Sequence, residues 1–64
     1  MKRFYIACSI VFGEPVPYMA RDTLEEAEDD ADRFAACRIM TIDIEKDDVV
    51  AVAIISERRF ANEP

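Results

Sequence analysis

One stretch of the sequence, residues 23–37, has a clear helical pattern, and this single helix limits the folds that the rest of the chain can form. It opens with Thr23-Leu24-Glu25-Glu26, a capping box in which the threonine hydroxyl accepts from the Glu26 N–H and the glutamate carboxylate returns to the threonine N–H. Apolar residues then recur at helical spacing, at Leu24, Ala27, Ala31, Phe34 and Ala35. Because alanine is small, this stripe predicts a helix that lies close against a sheet.

The segments on both sides of the helix alternate in the manner of β-strands. Residues 3–12 are rich in aromatic and β-branched side chains and predict strand 1. Residues 38–45 and 49–57 predict two further strands, which a tight turn at Lys46-Asp47-Asp48 joins. One helix is therefore placed between strand segments.

The segment at residues 15–20 contains two prolines, Pro15 and Pro17. Their missing N–H groups are tolerated only at the edge of a sheet, so the segment predicts an edge strand or an extended loop. The resulting order, β(β)αββ, predicts an α+β fold: an antiparallel three- to four-stranded sheet with one helix packed on one face. We expect a single domain over residues 1–64, in which residues 58–64 form a frayed tail.

Side-chain bulk suggests which face of the sheet the helix covers. The bulkier alternating sets are expected to face the helix; they are Phe4, Ile6, Cys8, Ile10 and Phe12, with Met40, Ile42, Ile44, Val50, Val52 and Ile54. The opposite face would then lack cover and would carry Tyr5, Ala7, Ser9, Val11, Val49, Ala51, Ala53 and Ile55. A face with few charges predicts an interface with a partner or a second copy. The alternatives are that the tail and strand 2 fold over it, or that a one-residue register error inverts the faces.

The acidic side chains form the second candidate surface. The formal net charge is −6, which disfavours direct binding to nucleic acid or to an anionic membrane. Six acids fall within eight helical residues: Glu25, Glu26, Glu28, Asp29, Asp30 and Asp32. Like charges three and four residues apart repel each other, so this acidic helix face predicts contact with a basic surface on a protein partner. The alternative is a solvated helix surface.

Several kinds of chemistry lack their usual residues. The chain has no histidine and one glycine, which removes the commonest general base, the commonest metal ligand and any glycine-rich phosphate loop. We therefore expect no catalytic residues, no metal and no cofactor.

Cys8 and Cys37 are expected to be reduced, buried thiols of a cytosolic protein. The carboxylates around the last hairpin are expected to form a solvated turn rather than a calcium site; they are Asp43, Glu45, Asp47 and Asp48. No apolar run approaches the roughly 18 residues of a membrane span, so we expect a soluble, cytoplasmic protein.

The chain resembles two groups of small proteins. It begins MKRFYIA, and a TLEEAEDDADRF helix leads into the closing hairpin RIMTIDIEKDDVVAVAII. This format is similar to that of small phage and mobile-element proteins, among which are the anti-CRISPR inhibitors. That resemblance implies binding to a nuclease complex, with acids placed where phosphates would lie. The segment Asp22–Ala27 also resembles the start of the helix in HicB-like antitoxins, although a DNA-binding segment and a glycine-rich second strand are absent.

The function expected from these features is non-catalytic binding to a protein. Its sharpest form is an anti-CRISPR-type inhibitor that blocks a nucleic-acid-processing complex through the acidic helix face. One alternative is a homodimeric structural or assembly protein that uses its exposed sheet face. The other is an antitoxin-like protein that neutralises a basic toxin.

Overall fold

The computed structural model describes residues 1–57 of the 64-residue chain. These residues form four strands and one helix: β1 at Lys2–Val11, β2 at Glu14–Arg21, α1 at Leu24–Phe34, β3 at Arg38–Glu45 and β4 at Asp48–Glu57. The strands make one antiparallel sheet in the order β2-β1-β3-β4, and α1 lies against it. The predicted α+β fold is confirmed, and so is the edge position of the proline-containing strand. The frayed tail predicted at residues 58–64 lies outside the described residues.

Both hairpins use two-residue turns in which the two central residues have positive φ. In the β1–β2 turn these residues are Phe12 (φ 52°) and Gly13 (φ 81°), and in the β3–β4 turn they are Lys46 (φ 51°) and Asp47 (φ 69°). This backbone twist matches the twist of the flanking strands, which is why such turns are favoured in hairpins. Phe12 therefore belongs to a turn and its side chain is fully exposed, so its predicted place among the core-facing residues is wrong.

The helix begins where the capping pattern predicts. The Glu26 N–H donates to Thr23 Oγ1 at 3.2 Å, and the Thr23 hydroxyl in turn donates to the Glu26 carboxylate at 2.9 Å. The C-terminal end comes earlier than the predicted residue 37, because Ala35 adopts a left-handed conformation with φ 53°. The Ala36 N–H then donates to the Ala31 carbonyl at 2.9 Å and closes the helix end.

The core between helix and sheet consists of small side chains. Its buried cluster is Ala7 of β1, Ala27 and Ala31 of α1, Ala36, and Ile39 of β3, with Tyr5 packed against it. The predicted orientation of the sheet is therefore wrong: Tyr5 and Ala7 face the helix, and the bulkier set of β1 lies on the other face. The physical reason is that alanine on the helix needs a small or flat partner on the sheet if the two layers are to approach closely.

The last strand lies beyond the reach of the helix. α1 packs against β1, β2 and β3, and within residues 1–57 it makes no contact with β4. Ala51 pairs with Asp43 and Ala53 pairs with Thr41, so both alanines share the helix side of the sheet yet remain exposed. Ile55 stands at a bulge and is 44% exposed. All three residues are exposed as predicted, but Ala51 and Ala53 do not lie on the face opposite the helix.

Candidate protein interfaces

The face of the sheet that the helix does not cover carries the large apolar side chains, and we name it the open face. Strand register assigns to it Phe4, Ile6, Cys8 and Ile10 from β1, Met40, Ile42 and Ile44 from β3, and Val49, Val52 and Ile54 from β4. Within residues 1–57 no helix or strand lies over this face. The open face is therefore the inverse of the face predicted to be uncovered, except at Val49, which the irregular pairing next to it places on the open face as predicted.

Exposure rises across the open face from its centre to the β4 edge. Ile6 and Cys8, in the middle of the sheet, are shielded by their neighbours to 9% and 2% exposure. On β4, by contrast, Val49, Val52 and Ile54 are each more than half exposed, between 51% and 58%. Single exposed apolar residues are common on any protein, but a contiguous group of this kind marks an interaction surface.

Within residues 1–57, charged side chains occur only at the ends of the open face, and each is paired. At one end, Lys2 Nζ lies 5.3 Å from the ring centroid of Phe4 and 3.2 Å from an Asp22 carboxylate oxygen. At the other end, Arg38 Nη2 lies 2.6 Å from a Glu57 carboxylate oxygen. The centre of the face is uncharged, which resembles the charge-depleted centre of a protein interface with a polar rim.

The helix-covered face holds two buried carboxylates, each bound in a two-point ion pair. Arg21 donates to Asp30 at 2.8 and 3.0 Å, and Arg3 donates to Asp43 at 2.7 and 3.0 Å. Hydrogen bonds from Arg21 and Arg3, together with their positive charge, lower the pKa of both carboxyls, although burial acts in the opposite direction. Planar guanidinium groups suit this geometry, because their parallel N–H groups match the two carboxylate oxygens.

These ion pairs remove residues from the candidate sites. Asp30 is 2% exposed and points into the sheet, so its predicted role on the acidic helix face is wrong. Thr41 and Asp43 were expected to point away from the core, but they lie on the helix-covered face and are buried. The partner arginines were not singled out by the sequence pattern. Arg21 ends β2 only nine residues before Asp30, which is the one local signal that could have indicated the pair.

The remaining acids of the helix stay on the surface: Glu25, Glu26, Glu28, Asp29 and Asp32 are exposed. Glu26 is held at the N-terminus of the helix by Thr23 and approaches Arg21 Nη1 at 4.0 Å. The acidic helix face therefore lies on the layer of the molecule that is opposite the open face. The exposed acids of the helix and the apolar open face are thus separated by the thickness of the sheet.

The far end of the helix is docked on β2 by aromatic side chains. The rings of Tyr18 and Phe34 stack with centroids 4.8 Å apart, and the Tyr18 hydroxyl shares a hydrogen bond of 2.7 Å with Ser9 Oγ.

Val11, predicted on the uncovered face, is 46% exposed at the end of β1 and pairs with Glu14. The adjoining turn leaves the Phe12 ring entirely in solvent, a position that the alternating pattern did not indicate.

Of the carboxylates predicted to form a solvated turn, Glu45, Asp47 and Asp48 are exposed, but Asp43 is buried against Arg3, so the prediction is wrong for Asp43.

The two thiols are unpaired. Cys8 is buried and free, and burial raises the pKa of its thiol, which disfavours the reactive thiolate. Cys37 is also free but only partly buried, so its predicted full burial is wrong. Residues 1–57 contain no group of three or more metal-ligating side chains. Within the same range, no helix is long and apolar enough to cross a bilayer.

Comparison of the chain with protein families, with curated proteins and with solved structures finds no match. The resemblances to phage inhibitors and to antitoxins therefore stay predictions.

Proposed function

We propose that this protein acts by non-catalytic binding to another protein and that the open face is its principal contact surface. The observation that supports this most is the group of half-exposed Val49, Val52 and Ile54 on an uncharged sheet face. A strand that faces water normally carries polar side chains at these positions, so apolar ones favour a covering partner.

The energetic gain from covering this edge is substantial for a chain of this size. Complete burial of an aliphatic side chain contributes roughly 1.5–3 kcal/mol. Because each of these residues is about half exposed, about half of that free energy would be gained when a partner covers it. Three such residues, with the partly exposed Ile42 and Ile44 beside them, offer several kcal/mol before the costs of association.

The test compares two lysine substitutions on the same strand. Val52→Lys places a charge on the open face, while Ala53→Lys places it one residue further on the helix side. Both positions are exposed, so both variants should fold. With the tagged full-length chain as bait, a protein captured by the wild type and by Ala53→Lys but lost with Val52→Lys supports the proposal. The same proteins captured by all three baits would contradict it.

A second candidate function uses the acidic helix face: inhibition of a nucleic-acid-processing complex, as in anti-CRISPR proteins, or neutralisation of a basic toxin. Five exposed acids on one short helix support it, because they suit a basic groove that otherwise holds phosphates. Direct nucleic-acid binding is not part of the proposal, since a net charge of −6 repels phosphate. The corresponding site of action is the cytoplasm.

Charge reversal separates this candidate from the first. Glu25→Lys with Asp29→Lys should abolish capture of a basic partner, and raising the salt concentration should weaken the wild-type capture, since exposed ion pairs are screened. Val52→Lys should leave that capture unchanged. A partner retained by the double variant at all salt concentrations would exclude the acidic helix face, and the identity of a captured partner distinguishes a nuclease complex from a toxin.

A further inference from the structure

We infer that a second copy of this chain covers the open face, so that two sheets pack face to face in a twofold-symmetric dimer. The inference rests on the proposed use of the open face for binding and names the partner. In this arrangement the two helices lie on the outside, and the large apolar residues of β1, β3 and β4 meet their own counterparts across the symmetry axis.

The first argument is the composition of the existing core. In residues 1–57, the large side chains that are completely buried are Ile39 and Asp30, and the other buried apolar residues are mainly alanines. The helix-covered face thus buries little apolar area, while the larger side chains lie on the face without cover. Small domains are marginal because they bury a small fraction of their surface. A second copy can supply the missing layer, and it is present wherever the protein is synthesised.

The second argument is area. Strands of 8 to 10 residues in a four-stranded sheet give a face of roughly 600 Å² in projection, at about 3.3 Å per residue and 4.8 Å between strands. The accessible surface of an uneven layer of side chains exceeds its projection. The open face therefore comes near the roughly 800 Å² per partner of a standard protein interface.

The third argument is charge. The centre of the open face is uncharged, and the charges at its ends are already paired as Lys2 with Asp22 and Arg38 with Glu57. Packed sheets lie about 10 Å apart and each helix adds a layer of similar thickness, which places the two acidic helix faces on the order of 30 Å apart. This exceeds the screening length of about 8 Å at physiological salt, so repulsion between the two acidic helix faces does not oppose the dimer.

Residues 58–64 contain little apolar surface that could cover this face. Their sequence, RRFANEP, contains one large apolar side chain, Phe60. A single aromatic ring can shield part of one strand but not the apolar positions of three strands. A different protein on the open face is the other possible occupant, and the experiment below distinguishes it.

The molar mass of the full-length protein in solution tests the inference. Sedimentation equilibrium over micromolar to millimolar concentrations should give twice the chain mass of 7.3 kDa. Val52→Lys should weaken self-association at least tenfold, and Ala53→Lys, on the helix side of the same strand, should leave it unchanged. If Val52→Lys does not fold, the wild-type melting temperature decides, because it rises with protein concentration for a dimer and is constant for a monomer.

Three outcomes would overturn the inference. The first is a wild type that stays at 7.3 kDa throughout the concentration range. The second is a dimer that Ala53→Lys dissociates and Val52→Lys does not. The third is a monomer that becomes dimeric on Phe60→Ala, which would identify the residues after Glu57 as the occupant. A monomeric wild type whose capture of another protein is lost with Val52→Lys would overturn the dimer and still support the proposed function.

Discussion

The two faces of the sheet differ in the size and polarity of their side chains, and the difference is the reverse of a simple rule of burial. The helix-covered face of the sheet carries Ala7, Tyr5, Ile39 and the buried carboxylate of Asp43, while the open face carries several isoleucines with valine, methionine and phenylalanine. Alanine is covered because a helix can approach it closely. Closeness of fit therefore explains which face the helix covers, and the bulkier residues lie mainly on the uncovered face.

Polarity follows the same division. The carboxylates of Asp30 and Asp43 are buried on the covered face because Arg21 and Arg3 reach them with paired hydrogen bonds. A buried charge is costly unless it is paired and hydrogen-bonded, and both conditions hold here. The open face has no such groups at its centre. The covered face is thus characterised by hydrogen-bonded ion pairs as well as by small side chains, whereas the centre of the open face has apolar side chains alone.

The largest expected effect comes from enlarging a side chain on the covered face. Ala31→Leu should lower the free energy of unfolding by about 1–3 kcal/mol, because the helix must move away from the sheet. Urea denaturation measures the change. The matched control is Ala53→Leu, the same substitution on the same side of the sheet but beyond the helix, which should change stability by less than about 0.5 kcal/mol. Equal losses in both variants would show that close helix packing does not distinguish these positions.

Acid titration tests the polar half of the comparison. In the folded state the carboxyls of Asp30 and Asp43 have pKa values below their ordinary 3.8, so their contribution to stability is complete above about pH 5 and is lost as the pH falls through the folded values. Unfolding measured between pH 6 and pH 2 should therefore show declining stability. Asp30→Asn should flatten this decline, and Arg21→Gln should flatten it similarly, because it removes the donor. An unchanged slope in both variants would exclude the pair as its source.

The β1–β2 turn belongs to neither face and should tolerate change. Phe12 adopts a positive φ that costs a bulky residue roughly 1 kcal/mol, and its exposed ring makes no compensating contact with the sheet. Phe12→Asn should therefore raise the free energy of unfolding by about 1 kcal/mol, measured by thermal denaturation. Phe12→Val, a β-branched residue at the same φ, should lower it. Destabilisation by asparagine would mean that the ring packs in solution.

The smallest effect is expected where the helix ends above the covered face. Ala35 has φ 53°, a conformation that glycine adopts without a steric penalty. Ala35→Gly should raise the free energy of unfolding by about 0.5 kcal/mol, which differential scanning calorimetry can detect. Ala27→Gly, inside the same helix and buried in the core, should instead lower it by about 1 kcal/mol or more. Stabilisation by both substitutions would contradict the assigned helix end.

The elements and their order could be predicted from the amino-acid sequence. Thr23 and Glu26 set the start of the helix through local hydrogen bonds, Pro15 and Pro17 placed their strand at an edge, and alternation set the extents of β1, β3 and β4. These properties depend on neighbours within a few residues, which the linear pattern contains. The two alternating sets of each strand were also correct as sets, apart from the bulged and turn positions.

Three properties could not be predicted from the sequence and became clear only in the folded protein. They are which alternating set of each strand faces the helix, which acid of the helix is buried, and which strand the helix leaves uncovered. Alternation divides a strand into two sets and assigns neither to the core, because that choice depends on how closely a second element can pack. The burial of Asp30 similarly depends on where the end of β2 places Arg21. Close packing and paired charge are properties of two surfaces brought together, so a pattern read along one strand or one helix does not contain them.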